Sequence, residues 1–235
     1  MCAILGFIGN SRHDTPRTDI LWAAMLANIH RGPDAWGVAS VRGGRVSQVK
    51  RPGMITRARK VVLRAVSKSS AVAIHMRWAT RGRPDVNINN HPHAFGRGSL
   101  IHNGTITHAD ELATDESITT RTECDSEVLA HVIGRSRQRS RIDRVADALG
   151  TAKAYSDEQH QRHAAVVIWP DLIIVAKAGK PLAWLDRPEG RYFASISPSS
   201  MWDNWCSSDA DWLVQSYLPQ PHRRRASFTT RRMYR

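Results

Sequence analysis

The sequence predicts an α+β fold in which strands at both ends of the chain form sheets that pack on each other with helices outside. Three stretches carry that prediction: the apolar run Ala3 to Ile8, helical spacing of apolar residues over 128–149, and short strands broken by tight turns over 164–196. Strands early and late, flanking two or more helices, are the pattern of this class.

Ala3 to Ile8 is a continuous apolar run of strand length and reads as a buried strand. Asn10 to Arg17 is polar and broken by Pro16. From Thr18, a candidate N-cap, Leu21, Met25 and Ile29 recur at i, i+4 and i+8 and argue a short amphipathic helix. Pro33, within His30-Arg31-Gly32-Pro33-Asp34, stops it because proline cannot donate to the helix ladder. Trp36 to Val41 and Val46 to Val49, on either side of Gly43-Gly44, read as a hairpin.

Residues 50–70 are basic and weakly helical. Residues 71–80 open as a buried strand and end in a polar cluster, the arrangement by which a strand delivers side chains to a site. A loop follows from Arg81 to Asn90, and Ser99 to Gly104 is a strand ending on an Asn-Gly turn. Val128, Leu129, Val132 and Ile133 keep helical spacing, as do Ile142, Val145, Ala146 and Leu149. Between them, Arg135 to Arg144 holds five arginines and reads as a solvated helix junction. Ala164 to Trp169, Leu172 to Ala176, Leu182 to Leu185 and Tyr192 to Ile196 then suggest an antiparallel meander. After Ser197 the chain becomes irregular, with Trp202, Trp205 and Trp212 among polar residues, and reads as a helical or loop cover over a sheet edge.

At 235 residues with 41% apolar side chains, the chain can bury one sizeable core. The division drawn from sequence is one domain over 1–219 and a basic tail, expected to be disordered, over 220–235. Net charge is +13, and the last fourteen residues hold six arginines and no acid, which leaves +7 for the remainder. Such a tail either holds nucleic acid or polyphosphate electrostatically, without reading sequence, or is a solvated or partner-docking end. The three cysteines are far apart and form no C-x-x-C pair, so neither a disulfide framework nor a thiolate zinc site is indicated. No apolar run approaches the ~20 residues of a membrane span, and a reducing, cytoplasmic location without membrane contact is expected.

Cys2 sits one residue behind the initiator. Were Met1 removed, one residue would carry both a thiol and a free α-amine, groups that titrate near ~8.5 and ~8 and so form a nucleophile with its own base. The alternative is a small buried residue at the start of a strand.

Six ordered pieces decide between these readings: Met1-Cys2-Ala3-Ile4 with Gly6 and Gly9; His30-Arg31-Gly32-Pro33-Asp34 with Gly37; His75 to Gly82; Asn90-His91-Pro92-His93; His102-Asn103-Gly104-Thr105-Ile106; and Thr122 to Glu127. In this order they closely resemble the glutaminase domain of class II glutamine amidotransferases, which are N-terminal-nucleophile hydrolases. The likeness covers about residues 1 to 200 and is greatest to the glucosamine-6-phosphate synthase branch.

The resemblance implies a four-layer αββα sandwich of two antiparallel sheets. It implies that Cys2 attacks the amide of L-glutamine, forms a thioester and releases ammonia and glutamate, with no cofactor. Asn103 and the Gly104 backbone N–H would be the oxyanion donors. Arg77 would bind the α-carboxylate and Asp125 the α-ammonium, Trp78 and Thr80 would belong to a closing loop, and His91 would lie beside the glutamine. His75, His91, His93 and His102 raise a metal reading, but no thiol or carboxylate pair completes a ligand set, so no metal is expected. Arg81 departs from the branch, which has histidine there. No phosphate loop or synthase domain is found in the sequence, so an ammonia-accepting synthase in trans is expected, with nucleotide or nucleobase amidation as its chemistry. The alternatives are an N-terminal-cysteine amidase for another amide, and a basic nucleic-acid-binding or scaffold protein that keeps the fold.

Overall fold

In strand β1 (Ala3–Gly9), successive side chains point to opposite faces, and both faces are buried. Ala3, Leu5 and Phe7 join one apolar cluster, while Ile4 and Ile8 join another. A strand with two buried faces has no polar face to expose, which is why its sequence shows no alternation. The computed structural model describes residues 1–11, 13–198, 205–207, 210–217 and 227–232.

The remaining elements in chain order are α1 (Thr18–Ala27), β2 (Ala35–Arg42), β3 (Arg45–Pro52), α2 (Arg59–Val66), β4 (Ala71–Arg77), β5 (His93–Phe95), β6 (Gly98–Asn103), α3 (Ala109–Asp115), α4 (Asp125–Arg135) and α5 (Arg141–Ala154). They continue with β7 (His163–Trp169), β8 (Leu172–Ala178), β9 (Ala183–Arg187), β10 (Gly190–Ala194), β11 (Cys206–Ser207), β12 (Trp212–Tyr217) and β13 (Ser227–Arg232). One sheet runs β11-β9-β10-β1-β4-β2-β3 and the other β13-β12-β8-β7-β6-β5. The strand pairs are antiparallel throughout.

Two helix layers enclose these sheets. Ile20, Leu21, Ala24 and Met25 of α1, with Val62 and Val66 of α2, pack on the outer face of the first sheet. Leu112 of α3, Leu129 and Ile133 of α4, and Val145 and Leu149 of α5 pack on Val167 and Ile174 of the second. The inner faces meet through Ile4, Ile8, Ala73, Ile101, Val166, Ile168, Ile173 and Val175. Small residues are used on this seam at Ala39, Ala71, Ala73 and Ala164. The expected αββα sandwich of two antiparallel sheets is therefore present.

Several local expectations change. Trp212–Tyr217 is a strand between β8 and β13, not a cover over the sheet edge. Its short apolar core, flanked by Ser, Asp and Asn, masked a strand whose hydrogen bonds are supplied by the neighbouring β8. Within the basic segment, Ser227–Arg232 pairs with β12, so Arg231 and Arg232 stand on a sheet strand; residues 218–226 and 233–235 lie outside the described residues, as does Trp202. Thr18 is the first residue of α1 rather than its cap, and Arg17, preceding it, makes no side-chain cap bond. No described helix is long and apolar enough to cross a membrane.

Candidate active site

β1 and β4 are neighbours in the first sheet, with Ala3 opposite Met76, so the start of the chain lies beside the end of β4. β6 in the facing sheet ends at Asn103. These three strand ends converge on Cys2.

The Trp78 backbone N–H donates to Cys2 Sγ at 3.3 Å, and the thiol lies 3.4 Å from the Trp78 carbonyl oxygen. Asn103 Nδ2 and Arg31 Nε each donate to the Cys2 carbonyl at 3.1 Å. The loop carrying Trp78 is held from the other side by Asp34. Its carboxylate accepts the Ala79 N–H at 2.8 Å, and its own N–H donates to the Arg77 carbonyl at 3.1 Å. Desolvation pushes the Cys2 thiol up, partly opposed by the Trp78 hydrogen bond and by the positive charges of the N-terminus and Arg77. The Met1 amine is pushed down, first by desolvation and also by Arg31 and Lys180.

Gly104 is required by its surroundings. A Cβ there would lie 2.3 Å from His163 Nδ1 and 2.5 Å from His102 Nε2. Those two imidazoles hydrogen-bond to each other at 3.0 Å, and His102 Nδ1 meets Ser126 Oγ at 2.9 Å. Both rings are buried and held below the usual histidine range by desolvation, His163 down to about 4. A neutral pair of this kind fixes the turn after β6 through one donor and one acceptor per contact.

Arg77 is 3% exposed and forms part of a buried network. Nη1 donates to Asn90 Oδ1 at 2.7 Å and Nη2 to the Gly82 carbonyl at 3.0 Å and to the Arg81 carbonyl. These contacts orient the guanidinium plane while leaving part of its five-donor fork for a ligand. Asn89 and Glu123 fasten the same loop by exchanging bonds: Asn89 Nδ2 donates to Glu123 Oε2 at 2.9 Å, and the Glu123 N–H donates to Asn89 Oδ1 at 3.0 Å.

Asp125 opens α4 and is buried, with Oδ2 accepting the Ile106 N–H at 2.7 Å. Desolvation pushes its carboxyl up, opposed by that bond. Of the residues read from sequence, Cys2, Asn103 and the Trp78 backbone are in direct contact. Arg77 and Asp125 are close enough for their charges to act on the Cys2 thiol. The Trp78 side chain, 47% exposed, and Thr80 face solvent, as open parts of a loop would.

His91 lies in a histidine cluster on which the charge of Arg77 acts. Its ring is buried, with centroids 4.1 Å from His75 and 4.7 Å from His93, and neither of its nitrogens has a hydrogen-bond partner. Desolvation, before any neighbouring charge, holds all three imidazoles low, His75 down to about 3. The sequence supplied no thiol for these histidines, but the fold brings the Cys124 thiol within 4.8 Å of donor atoms of His91 and His93.

Three contributors had no assigned role in the sequence reading. Arg31 and Asp34 lay inside a motif whose spacing marks a turn but not its contacts. Lys50 had no signal at all, although its Nζ donates to the carbonyls of Ile88 and Pro92 at 3.1 Å and pins the segment before β5.

No family model matches the chain. It is 35% identical over 194 residues to the glutamine–fructose-6-phosphate aminotransferase (isomerizing) of Caulobacter vibrioides, covering 77% of this chain and 29% of that protein. It is 31% identical over 228 residues to the corresponding protein of Bartonella quintana, covering 91% of this chain and 35% of the relative. The chain thus spans about a third of the length of these curated relatives. Among solved structures, glutamine phosphoribosylpyrophosphate amidotransferase from B. subtilis superposes with a TM-score of 0.73 at 18% identity, covering 99% of this chain and 49% of that one. A glutamine aminotransferase class-II domain protein from Silicibacter pomeroyi gives 0.65 at 16% identity, with both chains fully covered. At these identities the structural likeness speaks for the fold.

Proposed function

The chain belongs to the class II glutamine amidotransferases, and from that membership we propose that it hydrolyses the side-chain amide of glutamine with Cys2 as nucleophile. The supporting observation is the placing of Cys2 Sγ against the Trp78 N–H while the Asn103 amide reaches the same residue.

In this reading Met1 is removed and the α-amine of Cys2 becomes free. Cys2 Sγ attacks the amide carbon of glutamine, and the thiol proton passes to the α-amine. The oxygen of the tetrahedral intermediate is met by Asn103 Nδ2 and the Gly104 N–H. The α-ammonium of Cys2 returns the proton to the departing nitrogen, ammonia leaves, and water hydrolyses the thioester to glutamate. Arg77 holds the α-carboxylate of glutamine and Asp125 its α-ammonium. Trp78 and Thr80 lie on a loop that closes over bound substrate. The ammonia released is then available to a synthase site outside this glutaminase fold.

The test is intact mass together with glutamate release from L-glutamine, for the wild type and Cys2→Ala. The expected result is a chain lacking Met1 and glutamate formation that Cys2→Ala abolishes. Glutamate formation unaffected by Cys2→Ala would overturn the proposal, as would a Met1-free chain that cleaves other amides but not glutamine.

A further inference from the structure

We infer that His91, His93 and Cys124 form a binding site for a transition-metal ion of borderline softness, for which Zn2+ is the first candidate. Among the described residues these three form a histidine and cysteine cluster in which every pair of donor atoms lies within 4.8 Å. They come from separate parts of the chain. His91 and His93 flank Pro92 at the start of β5, and Cys124 precedes α4.

All three side chains are at least nine-tenths buried. Both ring nitrogens of His91 and Nε2 of His93 lack hydrogen-bond partners, and the buried His75 ring packs against His91 at a tilt. Buried polar atoms are overwhelmingly paired in native proteins, and several orphans facing one another need a physical account. A metal ion supplies one, because it satisfies a lone pair on each donor at once. Two imidazole nitrogens and one thiolate sulfur make a donor set that zinc accepts, with a fourth position left for water.

Zinc at ~2.0–2.3 Å from each donor places tetrahedral ligands ~3.4–3.7 Å apart, so closure from 4.8 Å requires movements of ~1 Å. Binding breaks the Cys124 S–H bond, releases that proton to solvent and forms the Zn–S bond; no electron is transferred. Desolvation, and then the Asp125 carboxylate 3.6 Å from the sulfur, push the Cys124 thiol up to about 12, opposed by the charge of Arg77, so the ion itself must displace that proton. Asp125 in turn offsets part of the positive charge that Arg77 and Lys50 set against a dication.

The site is separate from Cys2 but joined to its surroundings. His91 follows Asn90, the acceptor for Arg77, and Cys124 precedes Asp125. An ion at this position ties the segment before β5 to the start of α4. Its role is to hold two segments together, and it takes no part in amide chemistry.

The experiment uses the full chain with Cys2→Ala and Cys206→Ser, so that Cys124 is the remaining thiol. Metal-free protein is titrated with Zn2+ against a competing chelator, and with Co2+ while the sulfur-to-cobalt charge-transfer band is followed. The inference expects one ion per chain, the charge-transfer band, and a thermal midpoint that rises with Zn2+. It also expects Cys124→Ser to abolish the band and His93→Gln to weaken Zn2+ binding at least tenfold, both variants being checked for native circular dichroism. Absence of stoichiometric binding by the folded chain would overturn it. So would binding of equal strength in both folded variants.

Discussion

Asn103, the last residue of β6, donates its side-chain amide to the carbonyl oxygen of Cys2 at 3.1 Å and so links the end of a strand in one sheet to the residue that precedes β1 in the other. The same amide is the candidate oxyanion donor, which makes its removal a sharp test. Asn103→Ala is expected to lower kcat for glutamine hydrolysis ~100-fold, with a much smaller change in KM, since a donor of this kind acts mainly on the transition state. Steady-state glutamate release checks it, and a change confined to KM would remove Asn103 from that role.

Arg77 is held edge-on by Asn90 and the carbonyls of Gly82 and Arg81. Lysine carries the charge but not the planar fork, so Arg77→Lys is expected to raise KM for glutamine at least tenfold. The useful control is a γ-amide lacking the α-carboxylate. The wild type should prefer glutamine strongly and the variant should lose most of that preference. Equal losses on both substrates would mean that Arg77 serves only to brace the loop.

Gly104→Ala tests packing at the same turn. The new methyl would meet His163 Nδ1 at 2.3 Å and His102 Nε2 at 2.5 Å, so the imidazole pair must move or separate. Overpacking of this kind costs ~1–3 kcal/mol. Denaturant unfolding should show a lowered midpoint with an unchanged slope, and glutaminase activity should fall with it.

Much of the architecture could be read from particular residues. Ile4, Leu5 and Phe7 announced a strand buried on both sides, and Val128 to Leu149 kept helical spacing because one face of each helix packs on the second sheet. The order of the motifs indicated the candidate site because Cys2, Arg77 and Asn103 all lie at strand ends, where chain direction fixes position. Two things could not be read. Trp212–Tyr217 is short and bordered by polar residues, and its strand state depends on pairing with Leu172–Lys177, which sequence spacing does not encode. The approach of Cys124 to His91 and His93 joins positions about thirty residues apart through the packing of α4 against β5, and nothing local to any of the three announces it.

His163 gives the pH dependence. Its folded-state value of about 4 lies below the ordinary 6.5, chiefly through desolvation and then through Lys180, so the unfolded chain takes up this proton first as pH falls. Above about pH 6.5 neither state binds it and the neutral imidazole contributes its full stability. Between 6.5 and about 4 the unfolded state is favoured progressively, with a total loss of ~3 kcal/mol for a shift of this size. Below about 4 both states are protonated and this contribution levels off. His163→Gln keeps a polar partner for His102 but cannot titrate, so its unfolding free energy should fall less steeply over the same window. Denaturant melts at half-unit pH intervals check the difference. Parallel curves for wild type and variant would show that His163 does not keep its neutral form on folding.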